Sequence, residues 1–238
     1  MRHPLLDNIA WHALSGPHAT HSRGTSEAWR YAPGFAPIVG FADSEHPAFA
    51  ALSSCCAPGE HLYCGGWSGP EPAGWRIDAD ETMHQLVWDA AAPAADDGLA
   101  AVPLRAEHVP QMLELVAATE PGPFGARSIE LGRYFGVLEG GRLVAMAGER
   151  MAAGAFREVS AVCTHPDFQG RGYARRLVER LVRLQLQRGE TPFLHVMHAN
   201  GHARRLYERM GFRHYTELAV RVVSLRDVPA PAERPRER

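Results

Sequence analysis

The residues best suited to chemistry in this 238-residue chain are Gln169-Gly-Arg-Gly-Tyr-Ala174. Gly170 and Gly172 carry no Cβ, so a phosphate could approach the main chain there. The N–H groups of Gly170 through Ala174 fall where the downstream pattern predicts a helix to begin. Unpaired N–H groups and the positive end of a helix dipole together hold an anion. Arg171 and Arg175 add positive charge. A dinucleotide fingerprint is not met, because Arg175 stands where its third small residue belongs.

Elements must flank that turn to position it. Val159-Ser-Ala-Val-Cys-Thr164 is rich in β-branched residues and predicts a strand running into it. Residues 173–188 predict a helix with the apolar stripe Ala174, Leu177, Val178, Leu181 and Val182, stopped by Gly189. Upstream, Val109, Met112, Leu113 and Val116 recur at helical spacing, with Pro110 in the first turn. Residues 133–139 and 142–151 flank Gly140-Gly141, a hairpin signature. Residues 156–164 and 191–197 predict strands, 202–210 a short helix ending at Gly211, and 215–225 a final strand. The order α-β-β-β-α-β-α-β predicts an α/β (α+β) fold: a mixed, mostly antiparallel sheet with helices on both faces.

The first hundred residues differ in character. They carry 4 Arg against 12 acids, whereas residues 101–238 carry 21 Arg against 15. All five Trp lie in the first part. Segments 60–67 and 81–88 read as strands. Ala90-Ala-Ala-Pro-Ala-Ala-Asp-Asp-Gly98 has linker composition, which divides the chain into an N-terminal α/β domain (1–98) and a second domain (99–228). Residues 229–238 are Pro- and charge-rich and read as a disordered tail.

Composition excludes several chemistries. The chain has no lysine; all 25 basic residues are Arg. A Walker A loop, the usual kinase phosphate clamp and a Schiff-base enzyme each need one. A basic second half suits a polyanionic ligand, but interspersed acids and the lack of an aromatic-basic ladder argue against nucleic acid. No apolar run reaches a membrane span and no signal-peptide core opens the chain, so a cytoplasmic location is expected, away from membranes. Cys55, Cys56, His61 and Cys64 could be assembled into a zinc site, but their spacing is irregular and no second ligand pair follows, so no metal is expected.

The pattern Gln169-x-x-Gly172-x-Ala174 resembles the pyrophosphate motif of the GNAT superfamily of acyl-CoA-dependent N-acetyltransferases. A second stretch resembles the closing motif of that family, carried here by Asn200, Ala203, Tyr207, Gly211 and Phe212. The likeness spans residues 101–226. The layout also looks like the glycine N-acyltransferase-like branch, whose first domain resembles a GNAT fold without its cofactor motif. No such motif occurs before residue 100.

The resemblance implies acetyl-CoA as donor cosubstrate and an amine acceptor, small molecule or peptide. The donor site would comprise Gln169, Gly170, Arg171, Gly172, Tyr173 and Ala174, with Val162, Thr164 and Asn200. The Val162 N–H would face the thioester oxygen. Asn200 would cap the short helix. Tyr207 would be the acid that protonates the leaving thiolate, and a phenol is still protonated at neutral pH. Glu158, eleven residues before Gln169, would accept the amine proton. As an alternative it is an ion-pair partner of Arg157 or Arg150. Glu149 and His195 are further base candidates on neighbouring strands. Cys163 could be a nucleophile, but no histidine-carboxylate relay is evident and the family transfers acyl groups directly. Phe124, in Glu120-Pro-Gly-Pro-Phe124, would line the acceptor site. A different class fits the same residues: an acyl-CoA-binding sensor without turnover.

Overall fold

The computed structural model describes residues 2–95 and 98–226. The expected tail and two residues of the expected linker, 96 and 97, lie outside the described residues.

The N-terminal segment folds into two short helices, α1 (Pro4–Asp7) and α2 (Ile9–Leu14), then strands β1 (Ser22–Gly24), β2 (Ala28–Tyr31) and β3 (Ile38–Phe41). Helix α3 (Phe49–Ser53), β4 (Leu62–Gly65) and the long β5 (Trp75–Trp88) follow. The rest is β6 (Ala101–Pro103), α4 (Val109–Thr119), β7 (Tyr134–Glu139), β8 (Arg142–Ala153), β9 (Phe156–Thr164), α5 (Tyr173–Gln187), β10 (Thr191–Met197), α6 (Gly201–Met210) and β11 (Phe212–Leu225). The second half thus follows the expected order, with boundaries moved by a few residues and β6 added at its start.

All these strands belong to one sheet, ordered β1-β2-β3-β4-β11-β5-β10-β9-β8-β7-β6. Neighbours are antiparallel except β3–β4 and β9–β10. The sheet does not break at the linker. Strand β5, from the first part of the chain, lies between β10 and β11 of the second. It pairs with β11 from Phe212↔Trp88 to Leu225↔Trp75, and with β10 from Phe193↔Val87 to Met197↔Met83.

Helices cover both faces. On one, Leu177, Val178, Leu181 and Val182 of α5 are fully buried against Leu194, Val196 and Val159. Burying such a side chain stabilises by about 1.5–3 kcal/mol each. On the other face, α4 packs Met112 and Leu115 against Tyr134, Met146 and Cys163. The expected α4 stripe is corrected at one position: Leu113 is 38% exposed and Leu115 is buried instead. Leu113 lies about 100° around the helix from Met112, whereas Leu115 lies one near-turn on. Helices α1 and α2 cover the same face further along, with Leu6, Ile9 and Ala13 against Met151, Ala153 and Phe193. Gly40 permits that close fit: a Cβ there would stand 2.5 Å from the Trp11 main-chain nitrogen.

Candidate active site

The glycine turn lies beyond the point where two strands part. Parallel strands β9 and β10 pair only at Thr191↔Phe156, Pro192↔Arg157 and Phe193↔Glu158, then diverge. At the divergence β9 carries a bulge, with Ala161 and Val162 opposing Ala147 alone. Ala161 takes a left-handed conformation, φ +51°. A non-glycine residue there costs about 1–3 kcal/mol, and such strain clusters at functional sites. The bulge re-aims the main chain at Val162. The Thr164 hydroxyl, at the end of the strand, is buried without a hydrogen-bond partner among the described residues. A buried orphan of this kind calls for a ligand or solvent partner.

The glycine turn follows directly. Gly170 and Gly172 both have φ +76°, and a Cβ at either would meet nothing within 4 Å. The cradle therefore opens outward, and its glycines are required by backbone conformation. Gly172 is the N-cap of the 15-residue α5 and supplies no side-chain cap. The first N–H groups of α5 are thus left for an anion. Arg171 stacks over Phe168 at 4.7 Å. Tyr173 donates to Glu139 Oε1 at 2.6 Å, and Gln169 Nε2 donates to the Thr164 carbonyl at 3.5 Å. These residues tie the turn to β7 and β9.

Helix α6 stands on the same face as α5. Asn200 is its N-cap and accepts from the Ala203 N–H at 3.1 Å. Tyr207 is buried, its ring edge-on to Phe212. Its phenol has no hydrogen-bond partner among the described residues, and burial pushes its pKa up, with Cys163 close enough to add to the effect. It is a proton donor at neutral pH. Burial also pushes the Cys163 thiol up to about 11, which keeps it protonated and a poor nucleophile.

The opposite face of the parting strands carries a buried charge cluster. Glu158 is fully buried there. Arg150 Nε donates to its Oε2 at 2.9 Å and Arg150 Nη2 to its Oε1 at 2.7 Å. The Met151 N–H donates to Oε2 at 3.1 Å, and His195 Nδ1 lies 2.8 Å from Oε1. A carboxylate has about four acceptor positions, and all four are used. Despite burial, which raises it, the Arg150 charge and these bonds hold the carboxyl well below the usual range. The expected role of Glu158 as the group that takes the amine proton thus meets a carboxylate whose acceptor positions are all occupied in this structure. A saturated, fully buried carboxylate beside a bidentate guanidinium has no free lone pair to offer. Of the two ion-pair partners considered, Arg150 is the one found; Arg157 pairs with Glu190 at 3.1 Å.

Other side chains pack around this cluster. Tyr134 is held by Gly148, its register partner, where any Cβ would stand 2.1 Å from the Tyr134 ring. Phe124 packs edge-on to Tyr134 at 6.0 Å, and the Pro123 carbonyl accepts from Arg150 at 3.4 Å. The 120–125 loop thus meets the same wall as Arg150. From the N-terminal part come Tyr31 and His18, whose Nδ1 lies 2.7 Å from the Tyr31 oxygen. Both are near enough to Glu158 to feel its charge, and burial, reinforced by the Arg157 charge, pushes His18 down to about 4. Glu149 points to the α5 side instead, bonded to Gln185 and Arg188. Gln169–Ala174, Thr164, Val162, Asn200 and Tyr207 thus lie with α5 and α6 on one face of the parted strands, and Glu158 and Phe124 on the other.

Tyr134, Tyr31 and His18 were not singled out from sequence, and Arg150 only as a possible ion-pair partner of Glu158. Arg150 carried a signal: a β8–β9 hairpin turning at Gly154 brings it opposite Glu158. Tyr31 and His18 carried none, since nothing local places residues 18–31 over β9.

Cys55, Cys56, His61 and Cys64 do not converge on a metal position among the described residues. His84, His198 and Glu217 do come within 4.8 Å of one another. Arg204 Nη1 lies 3.0 Å from His84 Nε2, however, and places a guanidinium where a metal-bound imidazole would need an acceptor. No described helix is long and apolar enough to cross a membrane.

Residues 134–222 match the family of FR47-like proteins. No curated protein matches the chain. Among solved structures, a GNAT-family protein from Novosphingobium aromaticivorans DSM 12444 is 34% identical with a TM-score of 0.87, over 95% of this chain and 100% of that one. A GCN5-related N-acetyltransferase from Kribbella flavida shares the fold at 16% identity and a TM-score of 0.62, covering 91% of this chain and 94% of that one. A GCN5-related N-acetyltransferase-like protein from Streptococcus suis 89/1591 does so at 16% and 0.58, covering 92% of each. None of these three points to the glycine N-acyltransferase-like branch. Close identity over nearly the whole chain, with the parted strands and glycine turn in place, means that this protein belongs to the GNAT family.

Proposed function

We propose that this protein moves an acetyl group from acetyl-CoA to a primary amine of a small molecule, amino acid or peptide, by direct attack with both substrates bound. The observation that carries the reading is the parting of β9 from β10 at the Ala161 bulge, beside the outward-facing glycine turn. Family membership supports it. Acetyl-CoA supplies an activated thioester.

The N–H groups of Gly170 to Ala174 hold the pyrophosphate, and Gln169, Arg171 and Tyr173 fix and charge that turn. The edge of β9, with the Val162 N–H and the Thr164 hydroxyl, meets the pantetheine arm and the carbonyl oxygen, where a fixed donor stabilises developing negative charge. Asn200 caps α6 and so aims Tyr207 at the sulfur. Tyr207 gives its proton to the departing thiolate. The Glu158 face and Phe124 receive the amine.

Tyr207→Phe tests this assignment. The variant is expected to bind acetyl-CoA with unchanged affinity while kcat for thiol release falls about 10²–10⁴-fold. Its fold should be retained, because no hydrogen bond to the phenol is lost. Turnover equal to the wild type across pH would remove Tyr207 as the acid.

A further inference from the structure

We infer that His195 is the base that deprotonates the acceptor amine, and that Glu158 and Arg150 act through it as positioning residues. This rests on the acetyltransfer reading above. Glu158 leaves the base role vacant, because its four acceptor positions are filled. The group that remains on the same face of the strands is the imidazole bonded to it.

The geometry of the pair fixes its protons. Glu158 is ionised and can only accept, so His195 Nδ1 carries a hydrogen toward Oε1, 2.8 Å away. In the neutral ring the lone pair is then on Nε2. Nε2 has no hydrogen-bond partner among the described residues. A buried carboxylate that fixes the tautomer and orientation of an imidazole is the arrangement that makes histidine an effective base. Arg150 prevents Glu158 from taking the proton itself and holds it in one orientation.

The position is also right for the reaction. Phe193 pairs with Glu158 in the last register before β9 and β10 part, so His195 stands two residues into the gap, level with the approach to the Ala161 bulge. Its side chain is 7% exposed, which keeps the base out of bulk water. The titratable and charged groups around the pair are Arg150 from β8, Tyr134 from β7, Tyr31 from β2, His18 after α2, and Arg157 with its partner Glu190. Burial holds His18 uncharged near neutral pH and raises both tyrosines, so none of these three competes for the amine proton there.

The proton and bond changes balance. An alkylammonium loses one proton to His195 Nε2, and the freed nitrogen pair forms the C–N bond. As the C–S bond breaks, Tyr207 protonates sulfur. The nitrogen loses its second proton, which restores the Tyr207 phenol, and His195 releases its proton to solvent. The sum is ammonium plus thioester giving amide, thiol and one proton.

His195→Asn keeps an amide donor near the Nδ1 position, so Glu158 retains its fourth bond. The measurements are thermal melting, acetyl-CoA affinity, and kcat/KM for an accepted amine from pH 5 to 10. Melting and acetyl-CoA affinity should hold, while kcat/KM at pH 7 falls about 10²–10⁴-fold. The acid limb of the wild-type profile should give way to a continuous rise with pH, as the free amine becomes available without a base. Added imidazole should restore part of the turnover of His195→Ala and none of that of Tyr207→Phe. Glu158→Gln, which can still accept from Nδ1, should keep acetyl-CoA affinity while kcat/KM falls, because the ring loses the carboxylate that fixes its orientation. A merely structural role for His195 would lower the rate without moving the acid limb. An unchanged profile in His195→Asn, or no rescue by imidazole, would overturn the inference. Failure of the wild type to acetylate any amine would instead overturn the functional reading on which it rests.

Discussion

Arg150→Met is expected to lose about 3–5 kcal/mol of stability at neutral pH, the usual cost of breaking a buried pair from one side. For a chain of this size that is a fall in melting temperature on the order of 10 °C. The cause is specific. Glu158 is fully buried, and Arg150 supplies two of its four hydrogen bonds and, among the described residues, its only direct guanidinium. Methionine fills the volume and leaves the carboxyl to protonate or to remain charged in an apolar setting. The pH dependence follows with its sign. In the wild type the folded carboxyl is held below its unfolded value, so its stabilisation is present above about pH 4.3 and is lost as pH falls. In the variant the folded carboxyl is pushed up by burial, so its penalty is present at neutral pH and fades as pH falls toward the same value. The stability gap should therefore narrow between pH 7 and 4. Denaturation by urea across that range measures it. A constant gap would mean that Arg150 contributes packing alone.

A chain of residues 99–226 should fail to fold. Its sheet would be cut between β10 and β11, where β5 belongs. Both strands would present unpaired edges, and the core would lose Leu86 and Trp88, the latter edge-on to Phe212 at 5.1 Å. Exposed edges of this kind promote aggregation. Met151, Ala153 and Phe193 would also lose the cover of Leu6, Ile9 and Ala13. The expected product is insoluble, or lacks a cooperative melt. The register suggests a repair. β5 begins opposite the end of β11, at Trp75↔Leu225, and runs antiparallel to it. Residues 75–88 joined after Leu225 by a short turn would re-enter the same slot as a hairpin arm. That rearranged chain should recover a cooperative melt. If residues 99–226 alone melt like the full chain and bind acetyl-CoA, the shared sheet is not needed for folding.

The second half was legible because its signals are local. The 3.6-residue stripe of residues 173–188, the Gly140-Gly141 turn and the Asn200 cap each act within a few residues, and each is found in place. Glycines at 170 and 172 announced a backbone that only they adopt easily. The first part was opaque for the opposite reason. Its strands β2 to β4 are only four residues long, and β5 pairs with partners more than a hundred residues away. No local period encodes such pairing. A linker composition at 90–98 suggested separate domains, yet a polar connection between two strands of one sheet has that composition too. Glu158 shows the same limit within the site. Its spacing from Gln169 was readable, but whether it was free or saturated depended on Arg150, Met151 and His195 meeting it in space.

The central claim is acyl transfer from a CoA thioester held at residues 169–174 to an amine. The most direct measurement incubates the full chain with acetyl-CoA and a panel of primary amines, amino acids and peptides, following free thiol and N-acetyl product by mass spectrometry. The expected result is thiol release above the hydrolysis background with at least one amine, matched mole for mole by its acetamide. Acetyl-CoA binding with no release above background across the panel would contradict it, and would describe an acyl-CoA sensor.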